Sequence, residues 1–134
     1  MQLGERLDVP VHAEARFREI GFGDWEGRSR AELEQLQPGQ VRRFYQDPVT
    51  HRPTGAEPLD AFMTRVAEAF TELLDRHAGE SVLVVAHAGV IRAILAHTLD
   101  IPPVSMYRIH VPNAGISKLR TDRVRGFNLV SHGR

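Results

Sequence analysis

The segment Ser81-Val82-Leu83-Val84-Val85-Ala86-His87-Ala88-Gly89-Val90-Ile91 decides the fold of this 134-residue chain. It contains an unbroken apolar run, Val82 to Val85, which is typical of a strand buried on both faces of a parallel sheet. Apolar residues then recur at helical spacing as far as Leu99, which predicts a helix. His87-Ala88-Gly89 therefore lies between a central strand and a helix, where open α/β sheets bind ligands.

The predicted turn suits a phosphate group. Free backbone N–H groups and the positive end of the helix dipole meet there, and Gly89 lets an anion approach the main chain closely. A histidine beside that anion is held protonated by it, and can donate a hydrogen bond to the charge that develops during phosphoryl transfer. His87 is therefore a candidate phosphate-stabilising residue. The structural alternative is a histidine that only caps the turn.

A second candidate is Glu19, in the segment Arg18-Glu19-Ile20-Gly21-Phe22-Gly23-Asp24-Trp25-Glu26-Gly27. The density of glycines predicts a loop that passes close to another part of the chain. A carboxylic acid on such a loop could donate a proton to a leaving oxygen. The alternative for Glu19 is a surface ion pair with Arg16 or Arg18.

Two further helices are predicted. Ser29-Arg30-Ala31-Glu32 is a capping box that opens a helix through about Leu36. A longer helix starts near Leu59 and ends at Gly79, with apolar residues at helical spacing on one face. Its opposite face carries the polar residues Asp60, Arg65, Glu68, Glu72 and Asp75.

Shorter elements complete the prediction. A short turn is expected over Arg42 to Tyr45. Three strands are expected near the C-terminus, and a turn from Thr121-Asp122 to Arg125 joins the last two. The strands are Tyr107 to Val111, Ile116 to Arg120 and Val124 to Val130.

Composition narrows the class of function. Lys and Arg together number 17, as do Asp and Glu, so no global field attracts nucleic acid or an anionic membrane. The seven histidines show no close-spaced pair and there is no cysteine, which argues against a metal hydrolase. We therefore predict no metal and no organic cofactor. The length of 134 residues and the hydrophobic content of 42% predict a single domain over residues 1–134. The absence of a signal-peptide pattern and of a long apolar stretch predicts a cytoplasmic protein.

Four segments together resemble the histidine phosphatase superfamily, the phosphoglycerate mutase-like proteins. They are the segment around Glu19, Pro53-Thr54-Gly55-Ala56-Glu57, the segment around His87, and Pro112-Asn113-Ala114-Gly115-Ile116-Ser117. Their order and spacing look most like the small bacterial phosphatases of that family, including α-ribazole phosphatase. The resemblance implies an α/β three-layer sandwich of the phosphoglycerate mutase type.

The resemblance also assigns roles to single residues. It implies that Glu19 is the acid/base carboxylate and that His87 is the second active-site histidine. Ala88 stands where the family usually has glycine, so only its backbone N–H is a candidate phosphate contact. Gly89 and Arg18 are the remaining candidates for binding phosphate or substrate.

The family's nucleophile is missing from its expected place. Members begin with a strand that ends in Arg-His-Gly, whose histidine becomes phosphorylated, but only 18 residues precede Glu19 here. Met1 to Leu7 resembles the end of the helix that follows those elements, so we expect a domain that lacks the first strand and helix. His132, in Ser131-His132-Gly133, is the one candidate replacement; the alternative is an ordinary last strand followed by a loose tail.

The expected function is hydrolysis of a small phosphorylated metabolite, with a phosphohistidine intermediate in the complete enzyme. The alternatives are an inactive remnant that binds a phosphorylated ligand or a protein, and a mutase-like phosphotransferase. Loss of the first strand would expose an apolar edge at Val82 to Ala86, so we also expect a chain that is either poorly soluble alone or associated into a homo-oligomer through that edge.

Overall fold

The computed structural model of the chain describes residues 2–134; Met1, the first residue of the predicted helix end, lies outside them. Helices come first along the chain and a two-stranded antiparallel sheet comes last. The α-helices of the described part are α1 (Gln2–Leu7), α2 (Arg30–Leu36), α3 (Gln40–Gln46), α4 (Leu59–Arg76) and α5 (Ala88–Thr98). Short 3-10 helices lie at Ala15–Phe17, Gly23–Trp25 and Pro103–Arg108, and the strands are β1 (Lys118–Asp122) and β2 (Gly126–Ser131).

Helices α4 and α5 pack against each other and form the centre of the core. Phe62 and Val66 of α4 and Val90 of α5 have no exposed surface. Burying a side chain of this size stabilises the fold by about 1.5–3 kcal/mol. The long helix predicted from apolar spacing is confirmed; it ends at Arg76, and Gly79 adopts a positive φ of 78° in the turn beyond.

The start of α2 follows its sequence signal. Ser29 is the N-cap, and its hydroxyl accepts a hydrogen bond of 3.2 Å from the Glu32 N–H. The short turn predicted over Arg42 to Tyr45 is instead the seven-residue helix α3. Val41 and Phe44 of α3 are buried, so packing extends the helix beyond its local signal.

The prediction of a buried central strand over Val82 to Ala86 is wrong for this structure. Residues 81–87 have no regular secondary structure, and Leu83 and Val85 are 62% and 69% exposed. A parallel-sheet strand depends on neighbours that accept and donate its backbone hydrogen bonds. In the described part of the chain β1 and β2 pair with each other, and neither pairs with this segment.

The C-terminal strands are partly as predicted. β1 begins two residues after Ile116 and includes Thr121 and Asp122, which the sequence assigns to the turn. β2 matches the last predicted strand closely. The strand predicted from Tyr107 to Val111 is wrong, because Tyr107 belongs to the 3-10 helix that follows Pro102, with Pro103 at its start. Proline at a helix start has its φ already set and needs no N–H acceptor there.

Candidate active site

The carboxylate of Glu19 meets the N-terminus of α5. The Gly89 N–H donates a hydrogen bond of 3.1 Å to Glu19 Oε2, and the Ile20 N–H donates one of 2.9 Å to Oε1. A Cβ atom at position 89 would overlap Glu19 Oε1 and lie 3.0 Å from its Cδ, so this approach requires glycine. Two residues that lie 70 positions apart therefore share one contact.

The other candidate residues lie around this contact. His87 is the N-cap of α5; its ring is exposed and makes no capping hydrogen bond to the helix. Ala88 is the first helical residue, so its N–H has no acceptor inside the helix. Arg18 is exposed, and its guanidinium donates 3.3 Å to Ala15 O in its own loop. The structure thus brings Glu19, Gly89 and the start of α5 together, and directs Arg18 to the loop backbone.

Arg16, one of the two ion-pair partners considered for Glu19, pairs with other carboxylates instead. Arg16 pairs with Glu14 at 2.9 Å and with Glu72 at 2.6 Å. Hydrogen bonds from Arg16 hold the pKa of Glu14 at about 2. These contacts leave the Glu19 carboxylate directed to the backbone of α5.

Arg65 of α4 holds the Glu19 loop, and the sequence did not identify it. Its Nε donates 2.8 Å to Glu57 Oε2, and its terminal nitrogens donate to the backbone carbonyls of Arg16, Arg18 and Glu19. This hydrogen-bonded guanidinium holds the pKa of Glu57 below its ordinary value. Periodicity assigned Arg65 to the solvent face; its position three residues after buried Phe62 was the available signal.

Two loops interlock beneath the site. The Glu57 N–H donates 2.8 Å to Gly21 O, and the Asp24 N–H donates 3.0 Å to Thr54 O. Gly23 adopts a φ of 55°, and a Cβ there would overlap the Thr54 and Gly55 backbone. Glycine is therefore required at position 23 by both conformation and space.

Aromatic side chains form a wall beside the site. Phe44 makes edge-to-face contacts with Trp25 and Tyr107, both at 5.1 Å between ring centroids. The Tyr107 hydroxyl is buried with no hydrogen-bond partner in the described chain. Burial raises its pKa, Arg92 opposes the rise and Glu19 adds to it, so the hydroxyl senses both charges.

A cavity of about 230 Å³ opens on this wall. It is lined by Phe22, Trp25, Glu26, Leu33, Phe44, Tyr45 and Tyr107. A larger depression of about 570 Å³ is lined by residues between Gly4 and Val11, so neither Glu19 nor His87 borders it.

Both ring nitrogens of His132 already have partners. Nε2 lies 2.6 Å from His110 O, a pure acceptor, so Nε2 carries the proton. Nδ1 is then the acceptor in the neutral ring, and the Ser117 hydroxyl donates to it over 2.7 Å. An attacking imidazole needs a free nitrogen lone pair, so His132 is not poised as a nucleophile in this structure.

The described residues contain neither a cluster of metal ligands nor a membrane-spanning helix. Within residues 2–134 no group of three or more His, Cys, Asp or Glu side chains is arranged to hold a metal ion. None of the helices in that range is both long enough and apolar enough to cross a bilayer.

Comparison with known proteins identifies a family and relatives that match most of the chain. Residues 1–133 match the histidine phosphatase superfamily (branch 1). The adenosylcobalamin/alpha-ribazole phosphatase of Salmonella typhimurium is 32% identical over 108 residues, which are 80% of this chain and 53% of that protein. The glucosyl-3-phosphoglycerate phosphatase of Mycolicibacterium vanbaalenii is 35% identical over 107 residues, 75% of this chain and 47% of that protein. The chain thus spans about half the length of these curated relatives.

Solved structures agree with the sequence matches. Bacillus stearothermophilus YhfR superimposes with a TM-score of 0.82 at 30% identity, over 95% of this chain and 62% of that one. The structural neighbours are phosphoglycerate mutase-like phosphatases, so the fold is α/β and of the phosphoglycerate mutase type, as the resemblance predicted. The chain belongs to the histidine phosphatase superfamily, a family of phosphatases of small phosphorylated substrates.

Proposed function

We propose that this chain carries the acid and the phosphate-stabilising residues of a metal-independent phosphomonoester hydrolase. The observation that carries the proposal is the hydrogen bond from the Gly89 N–H to Glu19 Oε2, beside His87 at the start of α5. This contact supports the proposal because the N-terminus of α5 binds one anion already, the Glu19 carboxylate, and the adjacent Ala88 N–H has no acceptor inside the helix. The relatives' names indicate the substrate class, a small phosphorylated metabolite such as α-ribazole phosphate or glucosyl-3-phosphoglycerate.

In the proposed reaction, a histidine of the complete enzyme attacks phosphorus. The N–P bond forms as the P–O bond to the leaving group breaks, and Glu19 gives its proton to the leaving alkoxide. Water then attacks the phosphohistidine while Glu19 takes back a proton, releasing phosphate and the free histidine. His87 and the Ala88 N–H stabilise the equatorial oxygens in both steps.

The substrate itself favours the form of Glu19 that this reaction requires. A phosphate dianion at the start of α5 is a like charge close to the carboxylate, and like charge favours protonation. A protonated Glu19 can donate to the leaving oxygen.

Phosphate binding tests the roles at α5 without requiring turnover. Inorganic phosphate is titrated into the chain while the backbone amide signals of Ala88 and Gly89 are followed by NMR. His87→Gln should weaken binding roughly 10- to 100-fold, the loss expected for a charge-assisted hydrogen bond. His97→Gln is the matched control, because His97 is an exposed histidine in the last turn of the same helix. Equal binding by the two variants would exclude His87 from the phosphate site.

Hydrolysis of p-nitrophenyl phosphate without metal tests the reaction. Turnover with an acid-labile phosphate on the protein supports the phosphohistidine route, and Glu19→Gln should then slow release of a poor leaving group more than that of p-nitrophenolate. Phosphate binding without turnover favours the alternative, a module that binds phosphorylated ligands. The engagement of both His132 nitrogens favours that alternative for the chain alone.

We also propose that a second copy of the chain covers residues 81–87. This segment exposes Leu83 and Val85, and its backbone groups have no strand partner in the described part of the chain. Unpaired backbone beside exposed apolar side chains is a template for strand addition. The expected result is concentration-dependent association in sedimentation velocity.

A further inference from the structure

The guanidinium of Arg65 uses all of its donors: three hydrogen bonds go to the loop that carries Glu19, and two go to Glu57. An arginine has five N–H donors in a fixed plane. Nε and Nη2 donate to the two Glu57 carboxylate oxygens at 2.8 and 2.9 Å. Nη1 donates to Arg16 O at 2.7 Å and Arg18 O at 2.8 Å, and Nη2 also donates to Glu19 O at 3.1 Å.

The plane of this guanidinium is fixed from the core. Its central carbon lies 4.7 Å from the centroid of the Phe62 ring, a residue with no exposed surface. The Arg65 side chain is only 12% exposed. Lysine, with three donors on a single nitrogen, cannot reproduce the five bonds or the contact with the ring. The geometry is therefore specific to arginine.

Glu57 links this arginine to the far side of the same loop. Its carboxylate accepts two bonds from Arg65, and its own N–H donates 2.8 Å to Gly21 O. The backbone is thus held before, at and after Glu19. The carboxylate of Glu19 reaches α5 while its main chain is attached to α4, so two packed helices determine its position.

We infer that Arg65, oriented by Glu57, is the positioning residue of the acid: it fixes the Glu19 main chain so that the carboxylate reaches the N-terminus of α5. The acid role of Glu19 in this inference rests on the proposed function. The positioning of Glu19 by Arg65 does not, because it concerns contacts inside this chain. Arg65 touches no reacting atom, and its effect passes through the carbonyls of residues 16, 18 and 19.

The test follows the Gly89 and Ile20 amide signals by NMR as a function of pH, in the full 134-residue chain. Both amides donate to Glu19, so their shifts follow its protonation, and Glu19→Gln identifies that response by abolishing it. Arg65→Lys should remove most of the response at Gly89 while leaving the shifts of the far end of α5 unchanged. Glu57→Gln is a milder change that keeps one acceptor oxygen, and it should reduce the pH response of the Gly89 amide. This variant tests the inference if Arg65→Lys does not fold.

Val66→Ala is the matched control. Val66 adjoins Arg65 on α4 and is fully buried, so truncating it destabilises the same helix without removing the hydrogen bonds of Arg65. If Arg65 only contributes stability, both Val66→Ala and Arg65→Lys will lower the melting temperature and leave the pH response of the Gly89 amide intact. That result overturns the inference. Loss of this response in Arg65→Lys but not in Val66→Ala supports the inference. If His87→Gln and His97→Gln bind inorganic phosphate equally, the proposed phosphate site fails while the positioning result stands.

Discussion

Gly89→Ala offers a direct test of the contact between Glu19 and α5. A methyl group at position 89 would overlap Glu19 Oε1 and lie 3.0 and 3.2 Å from Cδ and Oε2, so the carboxylate has to leave. Its departure breaks the hydrogen bond from the Gly89 N–H, and a bond of this kind to a charged group contributes about 1.5–3 kcal/mol. Alanine recovers about 0.5–1 kcal/mol, because glycine is the poorer residue inside a helix. The expected net loss is about 1–2 kcal/mol.

Glu19→Ala separates this effect from a general response to a larger residue. Without the carboxylate nothing obstructs the new methyl group, so Gly89→Ala in the Glu19→Ala background should stabilise the fold by about 0.5–1 kcal/mol. The double-mutant cycle then gives a coupling of about 1.5–3 kcal/mol between the two positions. Gly21→Ala is the control glycine in the same site, since a Cβ there would make only ordinary contacts, the nearest at 3.8 Å from Glu57 Cβ.

Urea unfolding followed by tryptophan fluorescence measures these free energies. Trp25 is the one tryptophan of the chain, and its ring contacts Phe44 at 5.1 Å, so its emission should change when the aromatic wall separates. Linear extrapolation gives each free energy of unfolding. A coupling below about 0.5 kcal/mol, the usual limit of additivity, would refute the placement of Glu19 at the start of α5.

Three further predictions concern the rest of the chain. Ser29→Ala should cost about 1 kcal/mol in the same urea assay, because it removes the N-cap acceptor of α2, and an unchanged midpoint would contradict this. Arg65 holds the pKa of Glu57 below its ordinary value of 4.5. The ion pair therefore stabilises the fold above pH 4.5, and its contribution is lost as the pH falls through the lowered pKa. The difference in unfolding free energy between the wild type and Glu57→Gln should accordingly shrink below pH 4.5. Replacing Leu83 and Val85 together by lysine should shift sedimentation toward the monomer, and unchanged sedimentation would argue against association through this segment.

Helices were predictable here because their signals are local. The apolar spacing of α4 and the serine cap of α2 lie within a few residues of the structure they specify. Strands depend on partners elsewhere in the chain. The apolar run from Val82 to Val85 therefore indicates a segment that could form a strand, but it does not show which segment would pair with it. In the structure this segment pairs with neither β1 nor β2. The 3-10 helix Pro103–Arg108 illustrates the same limit, since it includes Tyr107, the first residue of a predicted strand.

The site shows a different limit. Glu19 and His87 attract notice through their glycine-rich neighbours, and the family resemblance assigns their roles. No periodicity identifies Arg65, because its partners are a carboxylate eight residues earlier and three carbonyls more than 45 residues away. A helical pattern assigns charged residues to solvent by default, whereas a guanidinium with five satisfied donors can lie at the edge of a core.

The contact at Gly89 also changes the reason for having glycine there. The sequence predicts close approach of a substrate phosphate at Gly89, whereas in the structure the carboxylate of Glu19 occupies that space. A helix N-terminus attracts carboxylate and phosphate for the same electrostatic reason, so the residue pattern alone cannot distinguish the two occupants. In the proposed reaction both anions use neighbouring N–H groups of one helical turn. Their mutual repulsion is then greatest when Glu19 is ionised and smallest when it is protonated, which is the form that can give its proton to the leaving oxygen.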